Sequence, residues 1–420
     1  MSVTTVHQRI RRDAAWLLAG YAITAGSGFL FWIVAAVMIP SSELGHDAAV
    51  ISIFSAAAAF SSTGVASALV VMLPPSGQAA QTLWRHARRM ILLLSIGAGV
   101  IAGLLVSRFE LASAPAIPTV VAITGATVIW AMFNTQTQVL TGLGDVPMTL
   151  WVNGPTNVAK LIAAALISGV LAAYHPVVLA TLAPAAVAVA VTLGYLIPRA
   201  MRRHLAEAEP VSWDREFRRR FDHFAAVNTA AIGVVLAVNL SIGFFVTVLS
   251  SPSQGALFAI AFQFGVALDL IAVGAATSLA KHRAGATVDR EIVTHLWRRV
   301  AGQVAIAGVA AVGLVVAMFT FLGGDYQPAT GATLVAMLAT ASGLRAVYDL
   351  WAAAMRAQHR VAPVLVGNLG GAAVVAVLTV VLVPHGGALG GAAAVLCGAA
   401  VVGVAGALGV SRLPLAGGLR

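Results

Sequence analysis

The sequence predicts an all-α polytopic membrane protein with about twelve transmembrane helices arranged as two six-helix halves. Three observations carry this. Hydrophobic residues make up 60% of the 420-residue chain and charged residues 10%, a composition outside the range of soluble domains. The apolar residues gather into long runs, most of which reach the ~20 residues a helix needs to cross a hydrocarbon core. Lys and Arg fall almost entirely on alternate connections between those runs.

The runs cover 14–39, 44–73, 90–106, 116–143, 147–173, 176–198, 224–249, 255–280, 300–322, 329–355, 361–383 and 387–410. Arg9, Arg11 and Arg12 precede the first run, which is too long for a signal-peptide core and reads as an uncleaved first span. If that flank is cytoplasmic, every even-numbered connection is cytoplasmic too. Those segments then hold 22 of the 25 basic residues. Arg108 lies on an outer loop, while Lys160 and Arg345 lie inside spans. By the positive-inside rule the expected location is an inner (plasma) membrane, with both termini cytoplasmic. The same bias accounts for the net charge of +10. A nucleic-acid partner is not expected, because no basic stretch comes with an aromatic stacking platform. Membrane lipids are expected partners, through the basic inner face.

The longest connection, 199–223, is read as a basic amphipathic cytoplasmic linker between an N-terminal lobe (1–198) and a C-terminal lobe (224–420). Trp213, Phe217, Phe221 and Phe224 recur at helical spacing among Arg215, Arg218, Arg219 and Arg220. That pattern predicts a helix lying on the inner membrane surface, with Ser212 as its cap and Asp214 and Glu216 in its first turn. The two lobes show a faint internal match near 210 residues of offset. It aligns Gly45 with Gly255 and Asn153 with Asn368. Six spans return the chain to the side it started from, so the repeat is parallel, about an axis along the membrane normal.

Charge at membrane depth is costly and marks a cavity or pathway by default. Lys160 lies near the centre of the fifth run, roughly 20 Å of helical rise from either end, too deep to snorkel. Pro155 precedes it in VNGPTN, where it should bend the helix or free carbonyls, and Asn153 and Asn157 add amides. Lys160 is read as a cavity-lining cation or as half of a structural pair. Asp269 sits mid-span in the eighth run, as a coupling carboxylate or a structural partner, Lys160 being conceivable. Arg345 and Asp349 are four apart on the tenth run and can pair; Arg345 is also a candidate for substrate binding and Asp349 for a coupling ion. Trp16, Trp32, Trp84, Trp297 and Trp351 fall near interfaces, as anchors do, and His46 with Asp47 reads as a solvated loop pair. The Gly386/Gly390, Gly387/Gly391 and Gly367/Gly371 spacings favour close helix packing.

Catalytic and cofactor signals are absent from the sequence. There is no GxxxxGK[ST] loop and no HExxH, the histidines lack metal-ligand spacing, and Cys397 stands alone. The expectation is therefore a non-enzyme without cofactor or metal.

The opening of the chain resembles bacterial polysaccharide flippases, the Wzx-type branch of the multidrug/oligosaccharidyl-lipid/polysaccharide (MOP) flippase superfamily. The features are the basic N-terminal flank, Gly28, Phe29, Phe31, Trp32 and Val34 to Ala36, then Pro40, Glu43 and Gly45, and later Gly64 with Ser67 to Val70. Twelve spans and a central linker extend the likeness along the chain. The resemblance implies a MOP/MATE-like fold of two six-helix bundles and rocking-type alternating access. It implies that a polyprenyl-pyrophosphate-linked oligosaccharide moves from the inner to the outer leaflet during cell-surface polysaccharide biosynthesis, with glycan assembly proteins as possible partners. It also implies a cationic cavity for the head group, a place Lys160 can fill. Relatives that flip the peptidoglycan precursor carry several cavity arginines and more than twelve spans, which this chain does not. The competing readings are a cation-coupled multidrug exporter of the same superfamily, a membrane glycan polymerase or ligase, and a non-transporting scaffold.

Overall fold

A computed structural model describes residues 26–112, 114–170, 175–206, 208–282, 289–358, 360 and 362–414. The described chain is helical, with no strand among those residues. The basic flank Arg9, Arg11 and Arg12 and the start of the first run lie outside them.

In chain order the helices are α1 (Gly26–Met38) and α2 (Ser41–Met72), then a tight turn at Pro74–Ala79 leading into α3 (Ala80–Arg108). They continue with α4 (Ala116–Gly142), α5 (Val146–Val170) and α6 (Pro176–Val191), which passes through a π-turn into α7 (Ile197–Ala206). Next come α8 (Arg215–Asn228), joined by a second π-turn to α9 (Val234–Leu249), then α10 (Pro252–His282), α11 (Arg290–Leu322), α12 (Pro328–Ala357) and α13 (Ala362–Ser411). Nine of these continuous helical segments, among the described residues, are long and apolar enough to cross a membrane. The chain reads as a multi-pass membrane protein.

α13 contains two spans. A straight helix of 50 residues would be ~75 Å long, more than twice the hydrocarbon core. Pro384 removes an amide donor, and Gly387 adopts φ 53°, ψ −131°, a region open to glycine and strained for other residues. A Cβ on Gly371 would meet Val402, and one on Gly398 would meet Val375. Residue numbers that rise on one arm and fall on the other define an antiparallel hairpin with its apex at Gly386–Gly387. The turn before α3 repeats the device: Gly77, after Pro74 and Pro75, has φ 51° and ψ −130°. Each turn docks on a neighbour through the next amide, Gln78 N–H to the Glu209 carbonyl at 3.0 Å and Ala388 N–H to Gln254 Oε1 at 3.1 Å. Gly386 and Gly387 make the turn itself, while Gly367, Gly371, Gly390 and Gly391 sit in close contacts as expected. With the α13 hairpin counted as two, the described parts of all twelve apolar runs fall on helices.

The chain forms two compact units, one of residues 1–38 and 50–241 and the other of 39–49 and 242–420. In the first, α3 packs on α4, and α5 and α6 pack on each other and on α4. Its core joins Leu69, Leu83, Trp84, Ile91 and Leu140 to Phe217 and Phe221 of α8. The α8 helix forms as expected, but Phe217 and Phe221 of its aromatic face are buried in protein, while Phe224 is exposed. Its cap is Asp214, which is extended and accepts the Phe217 N–H at 2.7 Å; Ser212 is not the cap. A carboxylate in that place also complements the helix dipole. His86 Nε2 meets Asp222 at 2.7 Å and ties α3 to α8.

In the second unit α12 is central and packs on α10, α11 and α13. Ser41 and Ser253, at the starts of α2 and α10, both donate to the Asp325 carboxylate in the α11–α12 loop. His46 and Asp47 lie within α2 and not in a loop, and Asp47 is 2% exposed. Trp32, Trp84 and Trp351 are buried, so packing and not an interface holds them.

Candidate functional site

The first unit gathers polar groups on one face of α5. Asn153, Asn157 and Lys160 are spaced by four and then three residues and are all half-buried, sharing a face by the helical period. Pro155 lies inside the helix between them. Asn153 Nδ2 donates to Thr137 Oγ1 on α4 at 3.3 Å, which pins the polar face of α5 to its neighbour.

Lys160 meets aromatic rings. Its Nζ lies 4.1 Å from the Phe31 ring centroid of α1 and 5.8 Å from that of Trp130 on α4. Trp130 stacks on Phe133 at 5.3 Å and takes the edge of Phe54 at 6.0 Å, so the rings cannot swing away freely. Among the described residues no carboxylate lies within ion-pair distance of Lys160. A ring face offsets part of the desolvation of an ammonium, worth about 0.5–2 kcal/mol, but does not neutralise it. The site can accept an anion without first losing a salt bridge.

The second unit holds the acidic candidates. Arg345 on α12 lies 3.9 Å from Asp269 of α10 and 4.0 Å from Asp349 one turn along its own helix. The Arg345–Asp349 pair expected from spacing is present. The partner found for Asp269 within its own unit is Arg345. Two carboxylates face one guanidinium at stretched distances, with side chains 23–35% exposed, and formal charges leave the trio at −1. Such a group can take up a proton or a small cation. Arg345 is thereby committed to two acids and is a weaker candidate for an anionic substrate than Lys160. Alongside, Tyr348 Oη donates to the Val364 carbonyl at 2.6 Å and ties α12 to α13.

Two features escaped the sequence reading. Gln136 of α4 is 1% exposed, and neither of its amide atoms has a partner among the described residues. Trp151 at the start of α5 is 69% exposed, whereas three tryptophans assigned to interfaces are buried. A glutamine in a run of Thr and Gln gives no periodic signal of burial, and a tryptophan's depth depends on which neighbour covers it.

No protein-family profile matches the chain, and no curated protein sequence is recognisably similar to it. Solved structures do match. The chain is similar to the lipid II flippase MurJ in an inward closed conformation, with TM-score 0.68 and 12% identity over 96% of this chain and 88% of that one. It is similar to an inward-facing multidrug resistance MATE family transporter of the MOP superfamily, with TM-score 0.61 and 11% identity over 95% and 98%. It is also similar to a MOP superfamily transporter from Pyrococcus furiosus described as having a binding pocket of reverse polarity, with TM-score 0.55 and 12% identity over 96% and 95%. The chain has the all-α polytopic fold of MOP superfamily transporters.

Proposed function

We propose that this protein is a membrane transporter that moves a polyprenyl-pyrophosphate-linked oligosaccharide from the inner to the outer leaflet by alternating access. It would serve cell-surface polysaccharide biosynthesis, in an inner membrane with both termini cytoplasmic and beside glycan assembly proteins. The fold makes transport the leading class. The observation that carries the substrate class is Lys160, a mid-span cation on an aromatic wall with no carboxylate counter-charge among the described residues. A lysine is a compact, flexible point charge suited to a diphosphate head group. Asn153 and Asn157 lie on the same face, with amides that suit sugar hydroxyls. Asp269 and Asp349 would take the coupling ion or proton, with Arg345 setting their affinity.

The second reading, a cation-coupled multidrug exporter, draws on the same acidic trio. There the net negative charge of the Asp269–Arg345–Asp349 trio would attract a cationic drug, and Lys160 would be unhelpful. Depleting the protein and following both leaflets separates the two. The flippase reading expects a lipid-linked glycan to accumulate on the cytoplasmic leaflet. Loss of hydrophobic-cation efflux with no such accumulation overturns it in favour of the exporter.

A further inference from the structure

The α11–α12 pair carries a groove outside the residues assigned to transport above. It has a volume of about 480 Å³ and is lined by Trp297, Ala301, Ala305 and Gly308 on α11 and by Ala336 and Gly343 on α12, among others. Val309 and Ile306 beside it are 76% and 75% exposed, as side chains facing lipid are. From Trp297 to Val312 the helical rise is roughly 22 Å, longer than one leaflet of a ~30 Å hydrocarbon core. The small residues leave a channel where larger ones would close the surface.

Two further observations mark its Trp297 end, which the basic-residue bias places at the cytoplasmic face. The Trp297 indole N–H is enclosed and has no acceptor among the described residues. A buried donor left unpaired is costly, and a small turn of the indole toward the groove would bring it within reach of a lipid carbonyl or phosphate oxygen. Arg298 is exposed and lies two helical turns from Ala305 on the same face of α11, at the edge of the groove. Arg290, Arg299 and Arg356 are exposed too and make this end of α11 and α12 basic. The groove between α5 and α6 has the same volume but a different mouth. Its tryptophan, Trp151, is 69% exposed, and no indole donor is trapped there.

We infer that the α11–α12 groove is a binding site for one anionic phospholipid of the cytoplasmic leaflet. One acyl chain lies along Ala301, Ala305, Gly308 and Gly343, an ester or phosphate oxygen accepts from Trp297, and Arg298 holds the phosphate. A zwitterionic lipid could fill the groove equally well, but its ammonium would cancel most of the attraction to Arg298. The site draws on none of the side chains assigned to transport and does not depend on what the protein transports.

The test is native mass spectrometry of the full-length protein exchanged from mixed vesicles of phosphatidylglycerol and phosphatidylcholine. Wild type should retain one phosphatidylglycerol in preference to phosphatidylcholine by about fivefold, the effect of one arginine near an anionic surface. Arg298→Gln should bring the preference close to unity and Arg298→Lys should keep it. Trp297→Phe should lower retention of both lipids, and Gly343→Leu should abolish it by filling the groove. Equal retention of the two lipids by wild type overturns the charge assignment. Unchanged retention in both Trp297→Phe and Gly343→Leu overturns the site. If Gly343→Leu aggregates on size exclusion, Trp297→Phe and Arg298→Gln still decide the outcome, because neither places bulk inside a helix contact.

Discussion

Replacing Lys160 by Met separates a substrate role from a structural one, because the two predict opposite signs for stability. The ammonium sits 4.1 Å from the Phe31 ring and has no carboxylate partner among the described residues. In the resting protein it therefore gains about 0.5–2 kcal/mol from aromatic contact while bearing the cost of desolvation. Methionine keeps the length and the ring contact and removes that cost, so the Tm of Lys160→Met should equal or exceed that of wild type. Transport should behave differently. A diphosphate within ~4 Å of an ammonium at an effective dielectric of 20 gains about 4 kcal/mol before desolvation. Truncating one partner of such a pair typically costs about 2–5 kcal/mol. Taking roughly 2–4 kcal/mol at 1.36 kcal/mol per decade, flipping should fall about 30- to 900-fold. Lys160→Arg should retain part of the activity, since charge survives but the planar fork fits the aromatic wall differently. The assay is translocation of a short lipid-linked oligosaccharide in proteoliposomes, paired with thermal unfolding in detergent. Transport within threefold of wild type, or a drop in Tm that parallels the loss of transport, would refute the assignment.

Three other outcomes follow from the same geometry. Asp269→Asn should flatten the dependence of transport on the proton or ion gradient, measured with ionophore-clamped vesicles; a wild-type gradient dependence would leave Asp269 as a partner of Arg345 and nothing more. Gln136→Leu replaces a buried amide that has no partner among the described residues, and should raise stability by about 1–3 kcal/mol in a denaturation series, whereas a loss of that size would reveal a buried water or ligand on Gln136. Gly387→Ala places a Cβ at φ 53° and against Gln254 and should destabilise by about 1–3 kcal/mol, while Gly386→Ala, with open space around its Cβ, should be nearly silent.

Much of the fold was legible because membrane insertion constrains a sequence heavily. Backbone groups in lipid must be paired within a helix, so length and hydropathy suffice to place the spans, and the twelve apolar runs correspond to helices with α13 counted as a hairpin. Gly45 and Gly255, aligned on a faint repeat, both sit where a Cβ would collide with a neighbour, Pro252 and Thr247 respectively. The spacing of Arg345 and Asp349 likewise sufficed for a local pair. Three-dimensional partnership was not legible. Phe217 and Phe221 look the same on a wheel whether lipid or Leu83 covers them. The choice of Arg345 over Lys160 for Asp269 depends on the packing of α10 against α12, which local periodicity does not encode. Gly99 and Gly103 bring α3 against Thr124 and Val120 of α4, yet glycines four apart are common in so small-residue-rich a chain.

The two units divide charge in a way that bears on mechanism. The first holds a cation without a carboxylate partner among the described residues, and the second holds two carboxylates that share one guanidinium. Asp269 has its ion-pair partner, Arg345, within its own unit, so protonating Asp269 acts first on Arg345 and Asp349. Coupling would then run through a conformational equilibrium, with each ligand favouring one state by its differential affinity. That arrangement suits a carrier of a multiply charged head group. A single lysine, partly satisfied by a ring, binds strongly enough to select an anion. It also lets go when the site is hydrated, which a dense arginine cluster would resist. On the proposed function, a proton or cation would supply its energy at Asp269 and Asp349, with an affinity set by Arg345. On this logic the modest number of buried charges limits binding strength so that release on the far side remains fast.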